Sequence, residues 1–171
     1  MKLRLVLSLV IFSFPGSVPA QNRPELFSKV DEVFAQKEPA WKVERTYPSY
    51  TIDPITEGIT FRSGRNQAAI DIVIWRREKD ARDVFVGESL ALDNTLHGMV
   101  RSTLPELGDE NHIWTHRGST GWPTIKFRKG SIDVTVFAPS VTIAKRFALH
   151  ILSQMTPVNT SEGSEGPPRL K

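Results

Sequence analysis

Two clusters of residues have the types and spacing that chemistry needs. The first is Asp109-Glu110-Asn111-His112-Ile113-Trp114-Thr115-His116, with two histidines and two carboxylates in one short run. Those are the ligand types of a zinc site. The alternation of Ile113 and Thr115, and the Gly-rich stretch that follows, predict a strand. His112 and His116 would then stand about 13 Å apart at ~3.3 Å per residue. One zinc, with Zn–N distances near ~2 Å, cannot take both. No metal and no cofactor are assigned. The second cluster is a pair of aspartates in two similar stretches, Asp71 in FRSGRNQAAIDIVIW (61–75) and Asp133 in FRKGSIDVTVF (127–137). Two carboxylates in equivalent places can act as general acid and base. Cross-strand pairing of Asp71 with Arg62 and of Asp133 with Arg128, on a solvated sheet face, is the simpler reading. No G-x-S-x-G, H-E-x-x-H or P-loop occurs. The Gly118-Ser119-Thr120-Gly121 run leads into Trp122-Pro123 and a strand, so it opens no helix that could receive phosphate. There is no cysteine, which excludes a thiol nucleophile, thiolate metal sites and disulfides. No catalytic residue is assigned.

The elements that position the aspartates follow from periodicity. Ile70, Ile72 and Ile74 alternate with Asp71, Val73 and Trp75; Ile132, Val134 and Val136 alternate with Asp133, Thr135 and Phe137. Side chains two apart on a strand share a face. A two-residue turn at Gly130-Ser131 sets Phe127 opposite Val134 and Arg128 opposite Asp133. In the first copy Arg62 and Asp71 flank a loop four residues longer. Each hairpin has a candidate strand before it, 41–47 and 112–117, and a helical pattern after it. Those patterns run from Ala81 to Leu92 and from Ala144 to Met155, the second with Ser140 as N-cap. A further helix spans 24–37. This order suggests a duplicated β-β-β-α unit, at 41–92 and 112–155. The expected fold is α+β, a mostly antiparallel sheet with helices on one face. If the helices take the aliphatic face, Trp75 and Phe137 remain on the other with Asp71, Asp133, Arg62 and Arg128. That face is a candidate surface for a protein, a peptide or a glycan. The alternative is a second small core.

The ends of the chain carry a different message. Lys2 and Arg4 precede an apolar run from Leu5 to Phe14, and Val18-Pro19-Ala20 has the small-x-small form of a signal peptidase site. The run is too short to span a bilayer. Residues 1–20 are read as a signal peptide, 21–156 as one domain, and the Pro-, Gly- and Ser-rich 157–171 as a disordered tail. The chain has 22 basic residues against 19 acidic ones, and two of the basic residues lie in the leader. The mature chain is nearly neutral, so charge gives no case for nucleic acid. The mature protein is expected to hold no membrane span and to be exported to the periplasm or beyond.

Leu107-Gly108-Asp109-Glu110, Trp114, the Phe127-Arg128-Lys129-Gly130 hairpin and the closing amphipathic helix resemble a recurring pattern. It belongs to small exported bacterial domains in which L-G-D-E-A precedes a strand, an F-R-x-G hairpin and a helix. Asn111 and Ser131 depart from the pattern, where alanine and asparagine are usual. The resemblance implies an exported bacterial α+β domain, largely uncharacterised, and carries over no catalytic residue. The resulting functional expectation is an exported, non-catalytic module that binds a partner protein or envelope component. Its rival is a small periplasmic hydrolase with catalytic residues from separate loops.

Overall fold

The structure is a computed structural model that describes residues 23–50, 53–96, 98–116 and 122–155. The expected leader, its cleavage point and the expected tail lie outside the described residues. Three helices and seven strands follow the order α1 (Glu25–Lys37), β1 (Lys42–Ser49), β2 (Ile55–Ser63), β3 (Asn66–Ile74), α2 (Glu78–Thr95), β4 (Met99–Ser102), β5 (Glu110–His116), β6 (Thr124–Lys129), β7 (Ile132–Phe137) and α3 (Val141–Leu152). The strands form one sheet, ordered β1-β2-β3-β7-β6-β5-β4, and every neighbouring pair is antiparallel. The α+β class and the antiparallel sheet are as the periodicity predicts.

β3 and β7 meet at the centre, and Ile72 pairs with Val134. One step to either side, Asp71 stands opposite Thr135 and Asp133 opposite Val73. The two halves are therefore related by a local two-fold through the Ile72–Val134 pair. The aliphatic parity holds: Ile59, Phe61, Ile70, Ile72, Ile125, Phe127, Val134 and Val136 share one core with Phe27, Val30, Phe34, Phe147 and Ile151. α1 and α3 cover this face. Phe34 stacks on Phe61 and meets Phe147 edge-on, and Trp41 packs against Phe147. Ser140 caps α3, accepting the Ile143 N–H at 3.3 Å.

α2 departs from the expectation. It crosses the opposite face, over β5, β6 and β7. The aliphatic face is already filled by α1 and α3, and α2 has little apolar surface to bring, burying only Ala81, Phe85 and Ser89. Polar clamps hold it instead. Glu88 binds Lys126 at 2.6 Å, Glu78 binds Arg128 at 3.1 Å, and Asp93 accepts the Trp114 indole N–H at 2.8 Å. The strands of the two units match across the two-fold; the helices after them do not.

The first hairpin also differs. Ser63 pairs with Asn66 around Gly64-Arg65, so the four additional residues lengthen the strands rather than the loop. Arg62 thus faces Gln67, and Gly58 is the residue opposite Asp71. Despite its two prolines, the stretch 48–58 contributes to β1 and β2; Pro48 is tolerated because β1 is an edge strand.

Candidate functional site

The aspartate face divides in two. α2 covers the half built from β5, β6 and β7. Over β1, β2 and β3, Tyr47 and Asp71 are exposed, and Thr60, Ala69 and Val73 are half-buried. Where the open half meets α2 lies a groove of about 350 Å³. Its floor is Asp71, Val73, Lys126, Asp133, Thr135 and Phe137; its wall is Glu88, Ala91, Leu92 and Thr95 of α2.

Strand register places these groups. Tyr47, Gly58, Asp71, Thr135, Lys126 and His112 form one row across the sheet. Asp133 sits in the next row, between Val73 and Arg128. Asp71 finds room because Gly58 has no side chain: a Cβ there would stand 2.8 Å from the Asp71 Oδ1. Asp133 is 2 % exposed. Its Oδ2 accepts the Trp75 indole N–H at 3.0 Å, and its Oδ1 has no hydrogen-bond partner among the described residues. Burial pushes the Asp133 carboxyl up to about 6, against the opposing pull of Lys126 and the Trp75 bond. Desolvation raises Asp71 as well, although its side chain keeps access to solvent. The Lys126 ammonium lies 5.5 Å from the Phe85 ring centre and is held by Glu88.

The residues singled out in the sequence have mixed fates. Asp71, Asp133 and Phe137 line the groove. Trp75 lies just beyond β3 and braces Asp133 from outside it. Trp75 and Phe137 sit on one face but at opposite ends, since Phe137 pairs with Ala69. The proposed Arg62–Asp71 pair does not form: Arg62 is at the far end of the hairpin and binds Glu44 at 2.7 Å. Arg128 does face Asp133 across the strands, but its guanidinium turns to Glu110, Glu78 and Asp109 and is buried under α2. Neither aspartate is therefore neutralised by its expected arginine. Lys126 and Glu88 were missed. Lys126 was legible beside Asp133, because the Phe127–Val134 register sets it opposite Thr135; its place beside Asp71 required knowing that β7 pairs with β3. Glu88 required knowing which face α2 takes.

The histidine cluster is strand β5, as its alternation predicts. His112 stacks on Phe85, and burial followed by the nearby Arg101 lowers its pKa. The L-G-D-E segment is a clasp on the F-R-K-G hairpin. Gly108 has φ +61°, and a side chain there would collide with the Arg128 carbonyl. The Asp109 N–H donates to that carbonyl at 2.8 Å, and the Asp109 carboxylate accepts the Gly130 N–H at 2.7 Å. Glu110 accepts from Arg128 at 2.9 Å. Gly108, Asp109 and Glu110 thus hold the turn between β6 and β7.

No family model and no curated protein matches the chain. Among solved structures, a GTP binding regulator from Thermotoga maritima is similar at 12% identity, over 78% of this chain and 91% of that chain, with a TM-score of 0.45. A likeness at that level carries no argument about this protein. Among the described residues, no helix is long and apolar enough to cross a membrane.

Proposed function

We propose that this is an exported, non-catalytic binding module of the kind its L-G-D-E and F-R-K-G segments resemble. Its ligand, a partner protein or an envelope component, is received in the groove between α2 and the open half of the sheet. The observation that carries this reading is Asp133. It is a buried carboxylate on the groove floor with one oxygen fixed by Trp75 and the other without a donor among the described residues. A group so placed is costly to keep, and a ligand's donor offsets that cost. The basic, apolar and small-residue start of the chain supports export.

One observation favours the hydrolase: two carboxylates with raised pKa line the same groove. Against it, the groove's hydroxyls are Thr95 and Thr135, and neither touches a base among the described residues; the Thr95 hydroxyl donates to the Ala91 carbonyl at 2.8 Å. An NMR screen with peptide, glycan and amine fragments decides between the readings. Shifts confined to Val73, Leu92, Thr135 and their neighbours are expected. Turnover of chromogenic esters or glycosides that disappears in Asp133→Asn would replace the binding module with the enzyme.

A further inference from the structure

We infer that the groove is a site for an organic cation, an ammonium group on an alkyl arm, its charge against Asp133 and Asp71 and its chain against Val73, Leu92 and Phe137. The inference rests on the binding reading above and names the chemistry of the ligand. Three carboxylates, Asp71, Glu88 and Asp133, face the groove against one ammonium, Lys126. Lys126 is already engaged by Glu88 at 2.6 Å. Arg128, the other nearby cation, is turned away to Glu110, Glu78 and Asp109. Among the described residues, the two aspartates are thus left with negative charge and one side-chain hydrogen bond between them, from the Trp75 indole. An anion would meet their repulsion. A neutral ligand would leave a buried carboxylate without a counter-charge. A bare divalent metal would sit beside the Lys126 ammonium, and no three metal-ligating side chains converge among the described residues. A monocation with an apolar arm satisfies both parts of the lining: its N–H groups meet the free carboxylate oxygens, and its chain meets Val73, Leu92 and Phe137.

Geometry gives the site a pH signature. The groups around Asp133 are Lys126 from β6, Asp71 from β3, Trp75 beyond it and Glu88 from α2, with the Arg128 guanidinium more distant and turned to its own carboxylates. With its carboxyl raised to about 6, Asp133 is protonated in mildly acidic solution. A cation binds the ionised form, so affinity rises with pH through that value, and binding near it releases protons.

The two sources of such a group are a free amine and a lysine side chain of a partner. Isothermal titration of the purified protein compares hexylamine, hexanol, an N-terminally acetylated tripeptide with a free lysine side chain and its norleucine analogue, with NMR to locate each. Hexylamine or the lysine peptide is expected to bind in the groove, and to weaken by about tenfold from pH 7.5 to pH 5. Tighter binding of the peptide assigns the site to a protein partner; tighter binding of the amine assigns it to a small molecule. Asp133→Asn keeps an acceptor for Trp75 and is expected to lose about tenfold in affinity and to flatten the pH profile. Asp71→Asn provides the same test at a more exposed position. Equal binding of hexanol and hexylamine at the groove overturns the cation and leaves the binding module standing. Silence from both amines while other fragments bind there does the same. Silence from every probe, with no groove shifts, removes both.

Discussion

Asp133 is a buried carboxylate whose ionisation works against the fold. Its carboxyl titrates at about 6 in the fold, against a usual 3.8. The folded state therefore binds more protons than the unfolded state between those values, and stability falls as pH rises from about 4 through 6. The loss is roughly 2–3 kcal/mol, from 1.36 kcal/mol per pKa unit. Asp133→Asn removes the charge and keeps the Trp75 bond. Its melting temperature at pH 7 is expected to exceed that of the wild type, with the difference shrinking toward pH 4. A variant that melts lower at pH 7 would mean that the carboxylate is internally compensated. Gly58 tests the neighbouring aspartate. Gly58→Ala is expected to fold, because Gly58 is absent from the positive-φ glycines. Its new Cβ would press on Asp71 Oδ1. The expected outcome is a displaced Asp71 resonance by NMR with only a small change in stability.

At the scale of elements, what the sequence revealed was parity and one register. Ile70, Ile72 and Ile74 against Asp71, Val73 and Trp75 assigned both faces of β3, and Gly130-Ser131 fixed β6 against β7. What stayed hidden required knowledge from elsewhere in the chain. α2 was expected on the aliphatic face because it follows a hairpin, yet α1, which precedes the hairpin, already occupies that space. Arg62 resembled Arg128 in sequence, but the hairpin adds strand, and Gly58 takes the matching place. Glu57 sits on the aliphatic parity and is fully buried there, which no alternation rule predicts. The unlike docking of the helices has a measurable consequence. α3 buries Ala144, Phe147, Ala148 and Ile151 in the main core, whereas α2 is clamped by ion pairs over a polar strip. Local opening is easiest where few apolar contacts hold an element. Amide exchange is expected to be faster across α2 than across α3, and raised salt should widen the gap. Phe147→Ala is expected to cost about 4 kcal/mol and to destabilise the whole domain. Equal protection of both helices would show that α2 is as firmly packed as α3.

At the scale of the whole molecule, the end of the expected leader and the buried core meet at one residue. Arg23 lies three positions after Ala20. Its guanidinium donates to Glu57, to Asp31 at 2.7 Å and to Tyr50 at 3.2 Å. The Glu57 side chain is 0% exposed, so this arginine is its counter-charge, with the Tyr50 hydroxyl as a second donor. Removing one partner of a buried pair leaves an uncompensated charge and costs about 3 kcal/mol or more. On the export reading proposed above, a mature chain would have to keep Arg23. Cleavage after Ala20 would keep it, with Gln21 first; cleavage beyond Arg23 would leave the buried Glu57 without its counter-charge. Mass spectrometry of the protein from its native envelope or medium is expected to find Gln21 at the N-terminus. Arg23→Ala is expected to lower the melting temperature sharply, and Arg23→Ala with Glu57→Gln to recover part of the loss. Retained Met1 would end the export reading, and a stable protein that starts after Arg23 would show that Glu57 does not depend on it.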